Sequence, residues 1–396
     1  MRIHYQQLAK DTKQLIREGR GGESKAVLRE AFAEKVFSPE DFRLRQVAEA
    51  TMGRDWVAAC EPGLERDVCL VRESDGVDST AFSNITGQIV FSKILAAFDS
   101  PDLIGTSLIP TTPTRLDGEK LPGVSQIGDK GQIVKEGMPY ENVGIGEEYI
   151  ETPETDKRGL IVPVTKEAVF FDRTNLILQR AAQVGASIAL GKEKRILNAI
   201  LGESSTFATG GKWKWKGTEF DVYNSTTVDF ASYFYVNSQT AVLENYTDLD
   251  ATENLFGDMK DPSTQEPIVI PGVRTLLVVP NLRQTAMRII NSTETRKLTN
   301  TSFTTLTPGD KGDYDIKSSP YFKTLLATNT TTSWWVGNFG QAFSYMENWP
   351  ITVSQAPTNN EAEFTSDIVA RFKASERGAV AVMAPHFVIK STGASG

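Results

Sequence analysis

An α+β fold is predicted by three features that keep helix and strand signals in separate stretches. FDRTNLILQRAAQVGASIALGKEKRILNAILG (171–202) has helical periodicity over its whole length. RGLIVPV (158–164) and VRTLLVVP (273–280) are short β-branched runs. The last hundred residues alternate short strands with turns, as in SWWVGNFGQAFSYMENWPITV (333–353) and FTSDIVARFKASERGAVAV (364–382).

Residues 1–59 read as three helical pieces, divided at Gly21-Gly22 and at Ser38-Pro39. Tyr5, Leu8, Thr12, Leu15 and Ile16 line one side of the first, and Val27, Leu28, Ala31, Phe32 and Val36 one side of the second. SPED (38–41) has the chemistry of a helix start: Ser38 as N-cap, Pro39 at the first helical position, and two acids at the positive end of the helix. Phe42, Val47, Ala48, Met52 and Trp56 then require a partner surface. Through Asp55 there are 11 basic and 9 acidic residues, so this arm is +2 and the remainder −10, a balance that a solvated helix surface explains better than a DNA-binding face.

A further helix is expected over Asn84–Phe98, carrying Ile85, Ile89, Val90, Ile94 and Leu95. Pro, Thr and Gly from Ser100 to Pro122 mark an extended connector, and strand-like pieces follow through 151. GDKGQIVKEGMP (128–139) holds too few apolar residues to form a core, so a hairpin built from it must lie against something else.

For the long helix, Asp172 is the expected N-cap and Gly202 the expected terminator. The ~29 residues between them make a rod of roughly 45 Å. Ile177, Ala181, Val184 and Ile188 form its stripe, widened by Leu178, Ala182 and Ala189. Ala and Gly at 181, 182, 185, 186, 189 and 191 admit another backbone at close range, and packing along a sheet is expected. Residues 203–270 are loop-rich, with KWKWKG (212–217) as a hairpin and DPSTQEP (261–267) as a turn, and VRTLLVVP feeds the helix NLRQTAMRII as one αβ unit.

At 396 residues and 43.6 kDa the chain has length for two or three units with buried interiors. The net charge of −8 argues against a dedicated nucleic-acid binder. No signal peptide or membrane span is present in the sequence, so a soluble protein made in the cytoplasm is expected. Six Asn-x-Ser/Thr sequons, at Asn84, Asn224, Asn245, Asn291, Asn300 and Asn329, then read as products of Thr-rich loops rather than glycan sites. Cys60 and Cys69 are the only cysteines and are read as reduced.

His4 and His386 are the only histidines, which leaves little material for a His-based metal site or a catalytic triad. Gly144-Ile145-Gly146 lacks the third glycine of a dinucleotide fingerprint, and Gly211-Lys212 is followed by Trp213 where a phosphate loop needs Ser or Thr. Glu147-Glu148 has no nucleophile, base or cofactor to work with and reads as a solvated turn. No catalytic, cofactor-binding or metal-binding residues are expected, and no cofactor.

The order of parts (arm, long hairpin, long helix, αβ unit, strand-rich tail) resembles the major capsid proteins of tailed double-stranded-DNA phages, the Hong Kong 97 type of fold. The resemblance spans roughly Asn84 to Thr392. IVKEGMPYENVGI followed by RGLIVPVTKEAVFFD is similar to the family's extended loop, with its EG-x-P strand and returning strand. FDRTNLILQRAAQVGASIALGKEKRIL is similar to its spine helix, and DPSTQEPIVIPGVRTLLVVPNLRQTAMRII to the entry of its axial domain. WWVGNFGQAFSYMENWPITV and DIVARFKASERGAVAVMAPHFV are similar to its closing strands.

The resemblance implies a helical N-terminal arm or assembly segment over 1–80, an N-arm helix and extended connector over 81–123, and an extended hairpin loop over 124–165. It further implies a peripheral domain over 166–270 with spine helix 172–202, an axial domain over 271–345, and closing strands of both domains over 346–396. The implied function is structural and not enzymatic: self-assembly into hexamers and pentamers of an icosahedral head, with the hairpin lying across a neighbouring subunit. Implied partners are further copies of itself, a portal, a scaffold or maturation protease, and decoration proteins. The enclosed double-stranded DNA would be held only by weak, non-specific contact, with no membrane. The implied location is the virion, after assembly in the host cytoplasm.

Lys130 and Lys135 sit where a covalent cross-link donor lies in some members, but no acceptor or activating acid is placed, so non-covalent locking is expected. A start at Met1 is expected to mean an arm that stays attached or a state before cleavage. The arm has three open roles: built-in scaffold, embrace of the next subunit, or DNA-facing lining. An encapsulin-like compartment is the rival on the same fold, and a hydrolase or transferase the rival from another class.

Overall fold

A computed structural model describes residues 5–34, 38–52, 74–99, 103–124, 147–171, 174–203, 211–225, 228–229, 234–260, 266–268, 274–291, 295–299, 302–306, 314–356 and 368–393. Helix and strand both contribute heavily, in agreement with the α+β expectation. The chain divides into two compact units, one of residues 1–101, 157–190 and 349–377, the other of residues 102–156, 191–348 and 378–396.

In the first unit the helices Tyr5–Arg17, Gly21–Ala33 and Leu44–Met52 pack on one another and on the helix Ser74–Phe98. Phe42, Leu44, Val47 and Ala48 bury themselves in one cluster with Ile85, Ile89 and Ile94 of that helix, Ile177 and Ala181 of the long helix, and Val162, Val164 and Phe372 from strands. The partner surface these arm residues require is therefore their own chain. The long helix runs from Thr174 to Leu201, and Gly202 follows at φ +69°, the left-handed terminator expected of it. Within this unit it packs both on strand residues, through Ile177 and Ala181, and on the helix Ser74–Phe98, where a Cβ added at Gly185 would lie 2.3 Å from the Ile94 carbonyl oxygen. The strand Asp156–Thr165 lies beside Ile368–Val382, which lies beside Phe343–Gln355.

Several boundaries differ from the sequence reading. The first arm helix ends at Gly19, φ +74°, where the Gly19 N–H donates to Ile16 O and the Arg20 N–H to Leu15 O. This Schellman closure leaves Gly21-Gly22 to open the second helix instead of dividing the two. SPED makes only a 3-10 turn over Pro39–Asp41, and the next helix starts at Leu44. Its cap is the Thr174 hydroxyl, which accepts from the Leu44 N–H at 3.0 Å; burying Phe42 and Leu44 takes that N–H out of water and puts Thr174 within its reach. The helix expected over 84–98 begins ten residues earlier, at Ser74.

The second unit is built on a five-stranded sheet in the order Tyr314–Lys317, Arg274–Val278, Trp334–Gly337, Val388–Ser391, Ser238–Gln239. Leu276 sits opposite Val336 in an antiparallel pair, and Thr275 beside Asp315 in a parallel one. Leu276, Leu277, Val278, Trp334, Trp335 and Phe343 fill its core together with Ile196, Leu197 and Ile200 from the end of the long helix. Arg274–Val278 leads through a 3-10 turn at Pro280–Leu282 into the helix Arg283–Ile290, the αβ unit expected from sequence.

A four-stranded sheet in this unit joins Lys120–Val124, Glu147–Glu151, Lys212–Trp215 and Thr218–Asp221. The antiparallel partner of Lys120–Val124 is thus Glu147–Glu151, with Leu121 opposite Ile150, and Ile150 in turn faces Trp215. RGLIVPV belongs to the sheet with Ile368–Val382, and the EG-x-P strand expected to pair with it lies outside the described residues. Glu147-Glu148 accordingly opens a strand instead of forming a turn. The connector over 100–122 is not wholly extended: it contains the short helix Gly105–Leu108 and the strand Thr111–Pro113, parallel to Tyr345–Glu347. Residues 125–146, with the GDKGQIVKEGMP stretch, Gly144-Ile145-Gly146, Lys130 and Lys135, lie outside the described residues, as do His4, Cys60, Cys69 and Asp172.

Candidate functional site

Among the described residues no group of three or more His, Cys, Asp or Glu is placed to hold a metal, and no helix is long and apolar enough to cross a membrane. His386 is buried in the turn Pro385–Phe387, its ring 4.9 Å from that of Phe387 and 6.4 Å from that of Trp213. KWKWKG forms the expected hairpin: Trp213 is buried, Lys212 pairs with Asp221, and Lys214 with Glu219 at 2.8 Å. These two lysines are already neutralised, so the bunched Lys and Trp offer little to a phosphate backbone. A cleft of about 180 Å³ beside it, lined by Gly202, Lys212, Asp221, Tyr223 and Lys390, is smaller than the roughly 300–1,000 Å³ of small-molecule sites.

Three of the sequon asparagines have structural places, one of them in a helix and not in the loop expected. Asn84 is buried within a helix, Asn245 forms a capping box with Asp248, and Asn329 holds a left-handed turn at φ +51°.

What the second unit concentrates instead is a set of buried polar ties on the KEKR run of the long helix. Glu193 accepts from the N–H groups of Ile104 at 3.1 Å and Gly105 at 2.7 Å. Burial pushes its carboxyl above the usual range, opposed by these two donors. Lys192 reaches Glu347 at 3.3 Å and lies over the Tyr345 ring at 4.2 Å. Arg195 donates to the carbonyls of Gly191 at 3.2 Å and Gly378 at 3.0 Å. One helix is thereby fastened to the connector and to two strands remote in sequence.

The sequence profile described as phage capsid protein matches residues 148–391, more than half of the chain. The chain belongs to the phage capsid protein family. No curated protein matches it significantly. Among solved structures, the capsid of cyanophage P-SCSP1u is similar at 13% identity, covering 73% of this chain and 86% of that one with a TM-score of 0.45. The capsid of cyanophage Pam1 is similar at 11% identity, 74% and 92% coverage and TM-score 0.46. The virus-like particle from Pyrococcus furiosus is similar at 10% identity, 76% and 97% coverage and TM-score 0.40.

A phage capsid protein is a structural subunit and not an enzyme. Two further polar ties sit near the C-terminal end of the long helix. Lys390 donates to the Leu201 carbonyl at 3.0 Å and pairs with Glu203 at 3.1 Å, closing the helix where its dipole is negative. Asn237, fully buried, accepts from the Asn224 N–H at 2.8 Å and donates to the carbonyls of Val222, Pro385 and Val388 at 2.7, 3.0 and 3.3 Å. Neither residue was singled out from sequence, because a lone Asn or Lys in a loop or strand carries no periodic or spacing signal.

Proposed function

We propose that this capsid protein self-assembles into hexameric and pentameric capsomers of an icosahedral Hong Kong 97-type head enclosing double-stranded DNA. The single observation that carries the reading is the family match over residues 148–391, a span that includes the long helix and all five strands of the second unit's main sheet. In this reading residues 124–165 extend as a loop, 166–270 with the long helix form the peripheral domain, 271–345 the axial domain, and 346–396 the closing strands of both. Residues 1–80 act as an assembly segment; the burial of Leu28, Phe42 and Val47 supports a folded module over an arm that reaches for the next subunit. Portal, scaffold or maturation protease, and decoration proteins are its further partners, and assembly takes place in the host cytoplasm. The net charge of −8 and the paired lysines of the 212–221 hairpin support weak contact with the packaged DNA.

Overexpression of the chain followed by sedimentation and negative-stain microscopy tests the reading. Uniform shells or six-membered rings are the expected products. A particle-free monomer of 43.6 kDa across a range of salt and protein concentration sinks it.

A further inference from the structure

The helix Ser74–Phe98 is covered on every side through the middle of its length. Ala81, Phe82 and all seven residues from Asn84 to Val90 are buried, Thr86, Ile89 and Val90 completely. Seven consecutive buried positions span nearly two turns, so no side of this stretch meets water, whereas a surface helix buries a single stripe. The long helix and the strands supply part of the cover, through Ile177, Ala181, Val162, Val164 and Phe372. Residues 5–52 supply the rest: Leu28, Phe42, Leu44, Val47 and Ala48 are buried in the same cluster, with Leu8 and Phe32 packed against it.

Polar contacts fix the same seam. Gln88, itself buried, accepts from the Arg29 Nε–H at 2.9 Å, and the Arg29 guanidinium lies over the Phe91 ring at 4.5 Å. Lys93 pairs with Glu40 at 2.7 Å. Taking residues 5–52 away would strip Gln88 of this donor and open an apolar flank of the central helix to water. On the outside of the arm, Val27 is the one large hydrophobic side chain left exposed among the described residues. The apolar surface of the arm is thus spent inside its own unit.

We propose that residues 5–52 are a permanent wall of the first unit and not a detachable scaffold: they stay in the finished particle, and a protease that cuts the chain during assembly does not release them. The proposal rests on the capsid reading and adds to it the fate of the arm.

The test follows the arm in the purified full chain. Hydrogen exchange is expected to protect Leu28 to Phe32 and Ile85 to Val90 to the same degree, within about tenfold, because the two segments open together. Exchange in Leu28 to Phe32 faster than that margin would mean an arm that lifts away alone, and overturns the proposal. Phe42→Ala is expected to accelerate both segments alike, as a cavity in a shared core requires; acceleration confined to the arm overturns it as well. The second reading is the mass of the subunit in particles recovered from lysed cells. The whole 43.6 kDa chain, or two fragments that together account for it, is expected, and particles that have lost residues 5–52 sink the proposal while the capsid reading stands. A chain that never assembles overturns the capsid reading, and the exchange measurement then decides by itself whether the arm belongs to the unit.

Discussion

Gly185 brings the long helix so close to Ile94 that a methyl group on its Cα would sit 2.3 Å from the Ile94 carbonyl oxygen and 3.1 Å from the Ala97 side chain. The obstructing atom is backbone, which cannot rotate aside. Ala is the better helix former by about 1 kcal/mol, so propensity and packing oppose each other here. Overpacking of this kind costs about 1–3 kcal/mol, and Gly185→Ala is expected to destabilise. Gly191, in the same helix, has nothing within 4 Å of an added Cβ, and Gly191→Ala is expected to stabilise by about 0.5–1 kcal/mol. Urea unfolding of the two variants beside wild type checks the pair, and equal shifts of one sign would refute the contact.

Glu193 gives the chain a specific pH signature. Its carboxyl is raised above the ordinary 4.5, so the folded chain binds this proton more tightly than the unfolded chain does. The sign follows: its contribution favours folding fully below about pH 4.5 and is lost as pH rises through the folded value. Other carboxylates contribute their own slopes, so the informative quantity is the difference between wild type and Glu193→Gln, which keeps an acceptor and removes the charge. Glu193→Gln is expected to gain on wild type as pH goes from acid toward neutral. Glu193→Ala leaves the N–H groups of Ile104 and Gly105 without their acceptor and is expected to cost about 2 kcal/mol or more at any pH. Denaturant titrations at several pH values separate the two.

Part of this architecture was legible in the residues. The long helix announced its stripe and its Gly202 terminator, VRTLLVVP its strand, and KWKWKG its hairpin, because periodicity and turn chemistry are local properties. The ties were not. Within KEKR, Glu193 reads as one of several surface charges, and only the folded chain reveals that Ile104 and Gly105, nearly ninety positions away, point their N–H groups at it. SPED likewise looked like a complete helix start, and was displaced by a hydroxyl 130 residues downstream. RGLIVPV was read correctly as a strand, but its place beside Ile368–Val382 was not legible, since β-branched runs specify strand character but not pairing.

Asn237 saturates its side chain with one accepted and three donated hydrogen bonds, all to backbone groups. Truncating it takes a partner from the Asn224 N–H and from the carbonyls of Val222 and Val388, while Pro385 O keeps the Val388 N–H, and each buried group left unsatisfied costs about 1–3 kcal/mol. Asn237→Ala is expected to destabilise by about 3–5 kcal/mol, among the largest effects open to a single substitution in this chain. Asn237→Asp is the sharper comparison: it keeps the acceptor for Asn224 and replaces the donating amide by a carboxylate facing three carbonyls. It is expected to be at least as damaging at neutral pH and to recover partly in acid, as protonation restores one donor. Thermal unfolding at two pH values measures both.

Thr174 ties the start of the long helix to the arm, its hydroxyl accepting from the Leu44 N–H at 3.0 Å. Thr174→Val keeps the shape of the side chain and removes the acceptor without opening a cavity. Loss of a helix cap costs about 1 kcal/mol, too little to unfold the subunit. It should nevertheless open the first turn of Leu44–Met52, where the orphaned N–H groups of a helix are concentrated. Hydrogen exchange is therefore expected to accelerate roughly fivefold at the amides of Leu44 to Val47 and to stay unchanged in the sheet around Trp334, since about 1 kcal/mol of local opening free energy converts to that factor. Uniform acceleration across the chain would mean that the arm helices have no cap of their own at Thr174 and open only with the whole subunit.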